Sequence, residues 1–264
     1  ILNMSILEQI EADIKEFLDK GTKLFFNERD FQVNLAFFLM NKRIYDNIFL
    51  EYSLPLLSKK MKEKEAEWEK KGRDLSFFQR GGNKSEASIR IDVVVEKDGL
   101  FYPIELKYKT KQKNGEIQRF KEDFGKIEIL KNHGARNIGR YSFWKDVARL
   151  EFIKDSFEKV KGGFCVFITN DNKYTKKPTD SSENFTMQED FTEPLKGPLF
   201  WKDDFKLGNT TLPTFSLQGK HKIKGWRSFV LGCDINSGNS SLIDQSNELT
   251  EDKKINFYYY IVEV

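Results

Sequence analysis

Residues Ile89–Tyr108 read IRIDVVVEKDGLFYPIELKY, and the fold turns on how this stretch is read. Ile89–Glu96 is rich in β-branched residues and predicts a strand. Lys97-Asp98-Gly99 is a hairpin signal, and Leu100–Tyr108 predicts a second strand antiparallel to the first. In the first strand, Ile91, Val93 and Val95 are expected on one apolar face, with Asp92, Val94 and Glu96 on the other. Pro103 lacks an N–H, which predicts an edge position or a bulge early in the second strand. Residues two apart share a face, so Glu105 and Lys107 project together. A turn near Lys97–Gly99 also brings Asp92 close to the position paired with Glu105.

Upstream, Ser5 with Glu8 three residues on forms a capping box. Ile6, Ile10, Ile14, Phe17 and Leu18 then recur at helical spacing, with Gly21 as the stop. Asn27 caps a second predicted helix, with Phe31, Leu35, Phe38 and Leu39 on its buried face and Glu28 and Gln32 one turn apart beside that stripe. Asp46 and Asn47 break the pattern, and Ile48–Leu54 predicts a short strand. Lys59–Arg73 is dense in Lys and Glu and predicts an exposed helix with a Glu67–Lys71 i,i+4 pair. Gly81-Gly82-Asn83 reads as a turn or loop.

Downstream, residues 113–141 contain Gly115, Gly125, Gly134 and Gly139 and show no dominant period. Ser142 is expected to cap a helix carrying Phe143, Val147, Leu150, Ile153 and Phe157 on one face, ended by Gly162-Gly163. Phe164–Thr169 is a continuous apolar run, the mark of a strand buried on both faces. Residues 171–198 are polar, hold Pro178, Pro194 and Pro198, and predict a long surface segment. Strand-like stretches follow at Thr214–Leu217, Ser228–Leu231 and Asn256–Val264. The order predicts an α/β sandwich in a single domain over 1–264. Its core would be 27–170, with an N-terminal helix at 5–20, a helical insertion at 57–75 and an extension at 171–264.

Composition narrows the chemistry. Hydrophobic residues make up 39% of 264, enough for a real core and too many for a disordered chain. Two Cys, at 165 and 233, exclude a disulfide framework and a cysteine-based zinc site. Two His, at 133 and 221, exclude a multi-histidine metal centre. Acid–base or metal chemistry therefore rests on carboxylates, lysines or hydroxyls. A net charge of +3, from 44 Lys and Arg against 41 Asp and Glu, does not announce a nucleic-acid partner unless the charges cluster. The longest apolar runs, Leu35–Met40 and Phe257–Val262, fall far short of the roughly 20 residues a membrane span needs. Ile1–Asp13 is amphipathic and lacks a basic region followed by an apolar block, so the expected setting is cytoplasmic.

Asp92, Glu105 and Lys107 suit metal-assisted phosphodiester hydrolysis. Carboxylate oxygens hold Mg²⁺ (Mn²⁺ as substitute), which prefers few protein ligands plus substrate phosphate. A nearby lysine stabilises developing charge or orients the attacking water. The competing reading of the trio is an exposed hairpin face laced by a cross-strand ion pair. Lys107, Lys109, Lys111 and Lys113 alternate, and read either as a ridge that follows a phosphate backbone or as a defended edge strand. Trp226 and Tyr258–Tyr260 could stack on bases, although such residues are more often core. Cys165 reads as a core thiol, and His133 and His221 as isolated. Asp146 reads as an acid near the start of its helix, favoured there by the helix dipole.

Ile91-Asp92 followed by Ile104-Glu105-Leu106-Lys107 resembles the signature of the PD-(D/E)XK nuclease superfamily, with Ile91 in place of the name-giving proline. The order of helix, three strands, helix and strand from Asn27 to Thr169 is similar to that family's core. Tyr141–Glu151 and Phe167–Asp171 also look like stretches of its uncharacterised bacterial members. The resemblance implies a restriction-endonuclease-like fold, a mixed central sheet flanked by helices with extra C-terminal strands. It implies a metal-dependent endonuclease acting on DNA, in double-stranded form, in a restriction, defence or repair setting. Asp92, Glu105 and the backbone carbonyl of Leu106 would bind Mg²⁺, and Lys107 would act in catalysis. Glu28 would be a further acidic ligand, its other reading being a first-turn acid at a helix dipole. Gln32, whose other reading is a surface or local bonding residue, Lys109, Lys111 and Lys113 are the expected nucleic-acid contacts, and a homodimer that cuts both strands is the oligomer the resemblance suggests. Two rivals stand beside it. One is a non-cleaving nucleic-acid-binding module or partner-dependent subunit of the same fold, and the other is a protein-interaction domain.

Overall fold

A computed structural model describes all residues except 1–3, 21–23, 81–83, 86, 224 and 233–253. Gly21, Gly81–Asn83 and Cys233 lie outside the described residues. Asp98 and Gly99 both take left-handed backbone, at φ 53° and 70°, as a two-residue hairpin turn requires. That turn joins Ser88–Lys97 to Leu100–Lys109 in the register Lys97–Leu100 through Val93–Ile104.

Four helices are described: α1 (Ile6–Asp19), α2 (Glu28–Asn41), α3 (Lys59–Lys70) and α4 (Arg136–Ser156). The principal strands are β1 (Asn47–Pro55), β2 (Ser88–Lys97), β3 (Leu100–Lys109), β4 (Lys113–Arg119), β5 (Glu122–Leu130), β6 (Phe164–Thr169), β7 (Leu195–Leu199), β8 (Phe215–His221), β9 (Arg227–Gly232) and β10 (Lys254–Glu263). The central sheet has the order β1-β2-β3-β6-β10-β9 among the described residues. It is mixed. β3 and β6 run parallel, and every other neighbouring pair is antiparallel. No helix of the described residues is long and apolar enough to cross a membrane.

Two cores follow from the two faces of this sheet. Ile10, Ile14, Phe31 and Leu35 of α1 and α2 pack on one face against Val93, Ile104, Leu106 and Val166. The other face, with Val94, Cys165, Phe167 and Tyr260, is covered by α4, Trp68 of α3 and the chain after β6. The sheet strands thus lie between two helical layers, as an α/β sandwich requires. Ser5 and Glu8 form their capping box, and the Asn27 side chain accepts from Asp30 N.

The structure corrects several sequence expectations. Pro103 lies in an internal strand. The Phe101 N–H points away from β2, to Lys159 O, so Pro103 two residues on faces the same side, just ahead of the first β3–β6 pair at Ile104–Phe164. Its missing N–H therefore leaves no ladder bond unmade. Ile91 shares a core with Val94 instead of Val93, so the alternation of β2 changes phase at Asp92. Opposite that point Glu51 takes a left-handed φ of 52°, and the β1–β2 ladder skips the pair. Helix α4 starts at Arg136, six residues before Ser142, whose hydroxyl bonds back to Gly139 O. Gly139 is accepted there because a Cβ would sit 2.3 Å from the Tyr174 hydroxyl.

Residues 113–130, read as irregular, form the β4–β5 hairpin. Residues 171–198 are a surface segment only in part, with Lys176, Lys177 and Asp180 exposed. Tyr174, Phe185 and Met187 are buried, and Trp144 Nε1 of α4 donates to Thr186 O at 3.0 Å. In α3, Met61 and Trp68 are buried, Glu67 pairs with Lys64 at 3.3 Å, and Lys71 reaches Asp155 at 2.6 Å instead of Glu67. Trp226, Tyr259 and Tyr260 are core residues. The C-terminal strand β10 lies directly beside β6, so the sheet does not end at Thr169.

Candidate functional site

The β2–β3 ladder closes at Val93–Ile104. One step further, Asp92 and Glu105 face the gap where the strands separate. Here a side chain replaces the backbone bond, as Leu106 N donates to Asp92 Oδ2 at 2.7 Å. Gln32 fixes the other side of this residue, with its Nε2 donating to Asp92 O at 2.6 Å and to Glu51 Oε1 at 3.0 Å. Gln32 is buried with its amide used within the protein, so it holds the Asp92 strand in place of the expected nucleic-acid contact.

Ile104 and Leu106 face α1 and α2, so Glu105 and Lys107 face α4. There Asp146 brings its Oδ2 to 2.5 Å from Lys107 Nζ, a charge contact without hydrogen-bond alignment. Asp146 Oδ1 takes a bond from Arg149 Nη1 at 3.1 Å. Lys107 Nζ also donates to the Leu106 carbonyl at 3.3 Å, so that carbonyl faces the same site. From α2, Glu28 Oε2 accepts from Tyr108 N at 2.8 Å, which ties the first turn of that helix to β3. Among the described residues, no hydrogen bond reaches the Glu105 carboxylate, although it is only 6% exposed.

The charges do not balance locally. Four carboxylates (Glu28, Asp92, Glu105 and Asp146) face Lys107, Lys109 and Arg149. Burial pushes Asp92 up to about 6, with Glu28 and Asp146 adding to the rise and Lys107 and the Leu106 N–H opposing it. Burial likewise lifts Glu105 well above the usual carboxylate range, reinforced by Asp146 and Asp92 against Lys107 and Arg149. For Lys107 burial works against the charged form, yet Asp146, Glu28, Glu105 and Asp92 outweigh it and hold the ammonium above its ordinary value. Acids held up by burial, with further carboxylates beside them, are an arrangement a cation relieves. Cys165, paired in register with Glu105, is a buried core thiol.

Comparison with protein-family models, with curated proteins and with solved structures finds no match to this chain.

The site brings together Asp92, Glu105, Lys107, the Leu106 carbonyl and Glu28. Lysines 109, 111 and 113 do not continue it as one ridge. β3 ends at Lys109, the Asn170 side chain clamps the Lys111 backbone from both sides, and Lys113 opens β4. Among the described residues no group of three or more His, Cys, Asp or Glu stands in metal-ligand geometry. Sequence reasoning passed over Asp146, because a helix starting at Ser142 would place it in the first turn. With the start at Arg136 it lies mid-helix, beyond the reach of a terminal dipole. The available signal was Asp146 with Arg149 three residues on, set among Phe143, Val147 and Leu150 on the buried face. His133 and His221 are not isolated either. Thr110 N donates to His133 Nδ1 at 3.0 Å, and His221 Nε2 lies 2.9 Å from Glu151 Oε1.

Proposed function

We propose that this chain is a metal-dependent endonuclease with a restriction-endonuclease-like core, a member of the PD-(D/E)XK superfamily that hydrolyses phosphodiester bonds in DNA. One observation carries the reading. The Glu105 side chain, which accepts no hydrogen bond among the described residues and is 6% exposed, stands beside a partly buried Asp92 and a lysine that stays charged. The element order α2, β1, β2, β3, α4, β6, with α3 inserted after β1 and the β4–β5 hairpin after β3, supports the topology.

By donor type, the residues present suit Mg²⁺. Asp92, Glu105 and the Leu106 carbonyl would hold it, a small ligand set suited to an ion that keeps several waters and takes substrate phosphate, with Glu28 as a further acid. When bound, the ion neutralises phosphate charge and acidifies its water. The remaining work belongs to the chain. Lys107 remains an ammonium at neutral pH, which makes it a fixed positive charge for a phosphate oxygen or a donor that orients water, and a poor proton acceptor. Asp146 holds Lys107 in place. Gln32 and the Leu106 N–H hold Asp92.

The Lys107–Asp146 contact also favours a second reading, a nucleic-acid-binding module or partner-dependent subunit in which that lysine is neutralised. A cleavage screen on plasmid and oligonucleotides in Mg²⁺, Mn²⁺ and EDTA, beside Lys107→Ala and Asp92→Ala, separates the two. The nuclease cuts only with metal, and both variants lose cutting while Asp92→Ala still binds. Scission that persists in EDTA and in Lys107→Ala defeats the metal mechanism.

A further inference from the structure

The end of the sheet where β3 and β6 stop side by side gathers cations from four separate segments. Lys109 closes β3, half-buried beside Glu28 and Lys107. Lys111 follows, exposed, its backbone gripped by Asn170 at the end of β6 through bonds of 2.6 and 3.0 Å. Lys131, exposed, is drawn to the same place because Thr110 Oγ1 donates to its carbonyl at 2.7 Å. Lys173 is exposed and its backbone N–H bonds Asp171, which also pairs with Arg136 of α4. His133 donates its N–H to Thr110 O, and burial with the neighbouring Lys109 charge holds its ring below the ordinary value. Asp171, paired with Arg136, and Glu28, beside Lys109, are acids at this rim, set against Lys109, Lys111, Lys131, Lys173 and Arg136.

Resting on the nuclease reading, we infer that this rim is a track for a phosphodiester backbone, carried by Lys109, Lys111, Lys131 and Lys173, that leads a nucleic-acid strand into the Asp92–Glu105–Lys107 centre. The argument is geometric. Lys109 lies two residues from Lys107 on the same strand, so the track opens onto the site without a gap. Whole-chain charge is nearly neutral, so it is the clustering that supplies the attraction. The basic residues of α3 are instead matched by acids along that helix, with Lys62–Glu65 at 2.7 Å and Lys64–Glu67 at 3.3 Å.

The test is equilibrium binding in EDTA, where metal-dependent cutting is silent, with duplex DNA, single-stranded DNA and RNA as separate probes over a salt series. A Lys111→Ala/Lys131→Ala double variant removes two exposed side chains and should melt as the parent does. It is expected to bind its best probe at least tenfold more weakly, with a salt slope shallower by about 2, one for each lost phosphate contact. Lys60→Ala/Lys62→Ala on α3 is expected to leave both unchanged. Equal affinity and slope for the rim variant, equal loss in the α3 variant, or a parent that binds none of the three probes would overturn the track. Cutting is scored separately with metal. A parent that cuts while the rim variant binds normally removes the track and leaves the nuclease, and a parent that binds through the rim without ever cutting does the reverse.

Discussion

Asp92 is a desolvated acid that works against its own fold. Its carboxyl sits near 6 in the native protein against an ordinary 3.8, so the folded state binds the proton more tightly than the unfolded chain. The stabilising contribution is present below the unfolded value and is lost as pH rises through about 6. At pH 7.5 the ionised Asp92 then costs on the order of 2–3 kcal/mol. Asp92→Asn, which keeps an oxygen for the Leu106 N–H, is expected to melt higher than the parent at pH 7.5, with the gap shrinking toward pH 4. Thermal unfolding at the two pH values checks this, and a lower melting point for the variant at pH 7.5 would contradict it. If the acids hold a divalent ion, Mg²⁺ raises the melting temperature of the parent and not of Asp92→Asn. The gain fades below pH 6 as the proton competes with the ion. Asp146→Asn, which removes one of the charges that raise Asp92, is expected to lower the Asp92 midpoint, read by carboxyl NMR titration.

At the scale of elements, close approach decides where strands and helices fit. Gly163 precedes β6, and a Cβ there would lie 2.5 Å from the Pro103 carbonyl, a backbone atom that cannot swing aside. Gly163→Ala is expected to cost about 1–3 kcal/mol, measured by chemical denaturation, because the β3–β6 parallel pair must part to admit it. Asn170 acts the other way, by joining the ends of these two strands through the Lys111 backbone. Helix α4 serves both the packing and the candidate site. Its Phe143, Val147 and Leu150 build one core, and the same buried face delivers Asp146 to Lys107. The buried pair is retained at the cost of desolvation, which hydrophobic replacement would remove.

At the scale of the molecule, the chain after Thr169 belongs to the sheet. β10 pairs with β6 from Tyr258–Thr169 to Glu263–Phe164, and all six residues of β6 are buried. A fragment ending near residue 170 would expose one edge of that strand and the α4 face covered by Phe185, Met187 and Phe215. It is expected to show no cooperative unfolding transition by circular dichroism, and a sharp one would mean that 27–170 folds alone. Most local elements were legible in the sequence, because caps, periodicity and the Asp-Gly turn act over a few residues, but the β4–β5 hairpin and the start of α4 were not. Ser5, Asn27, the β2–β3 hairpin and the buried β6 run all stand where those signals put them. The pairing of Glu105 with Lys107 on one face was legible for the same reason, as side chains alternate along any strand. The order of strands in the sheet, the phase change at Asp92, the burial of Tyr174, Phe185 and Met187 and the meeting of Asp146 with Lys107 were decided only by tertiary packing. Each joins residues far apart in the chain, and no short-range preference encodes a partner that arrives from another layer.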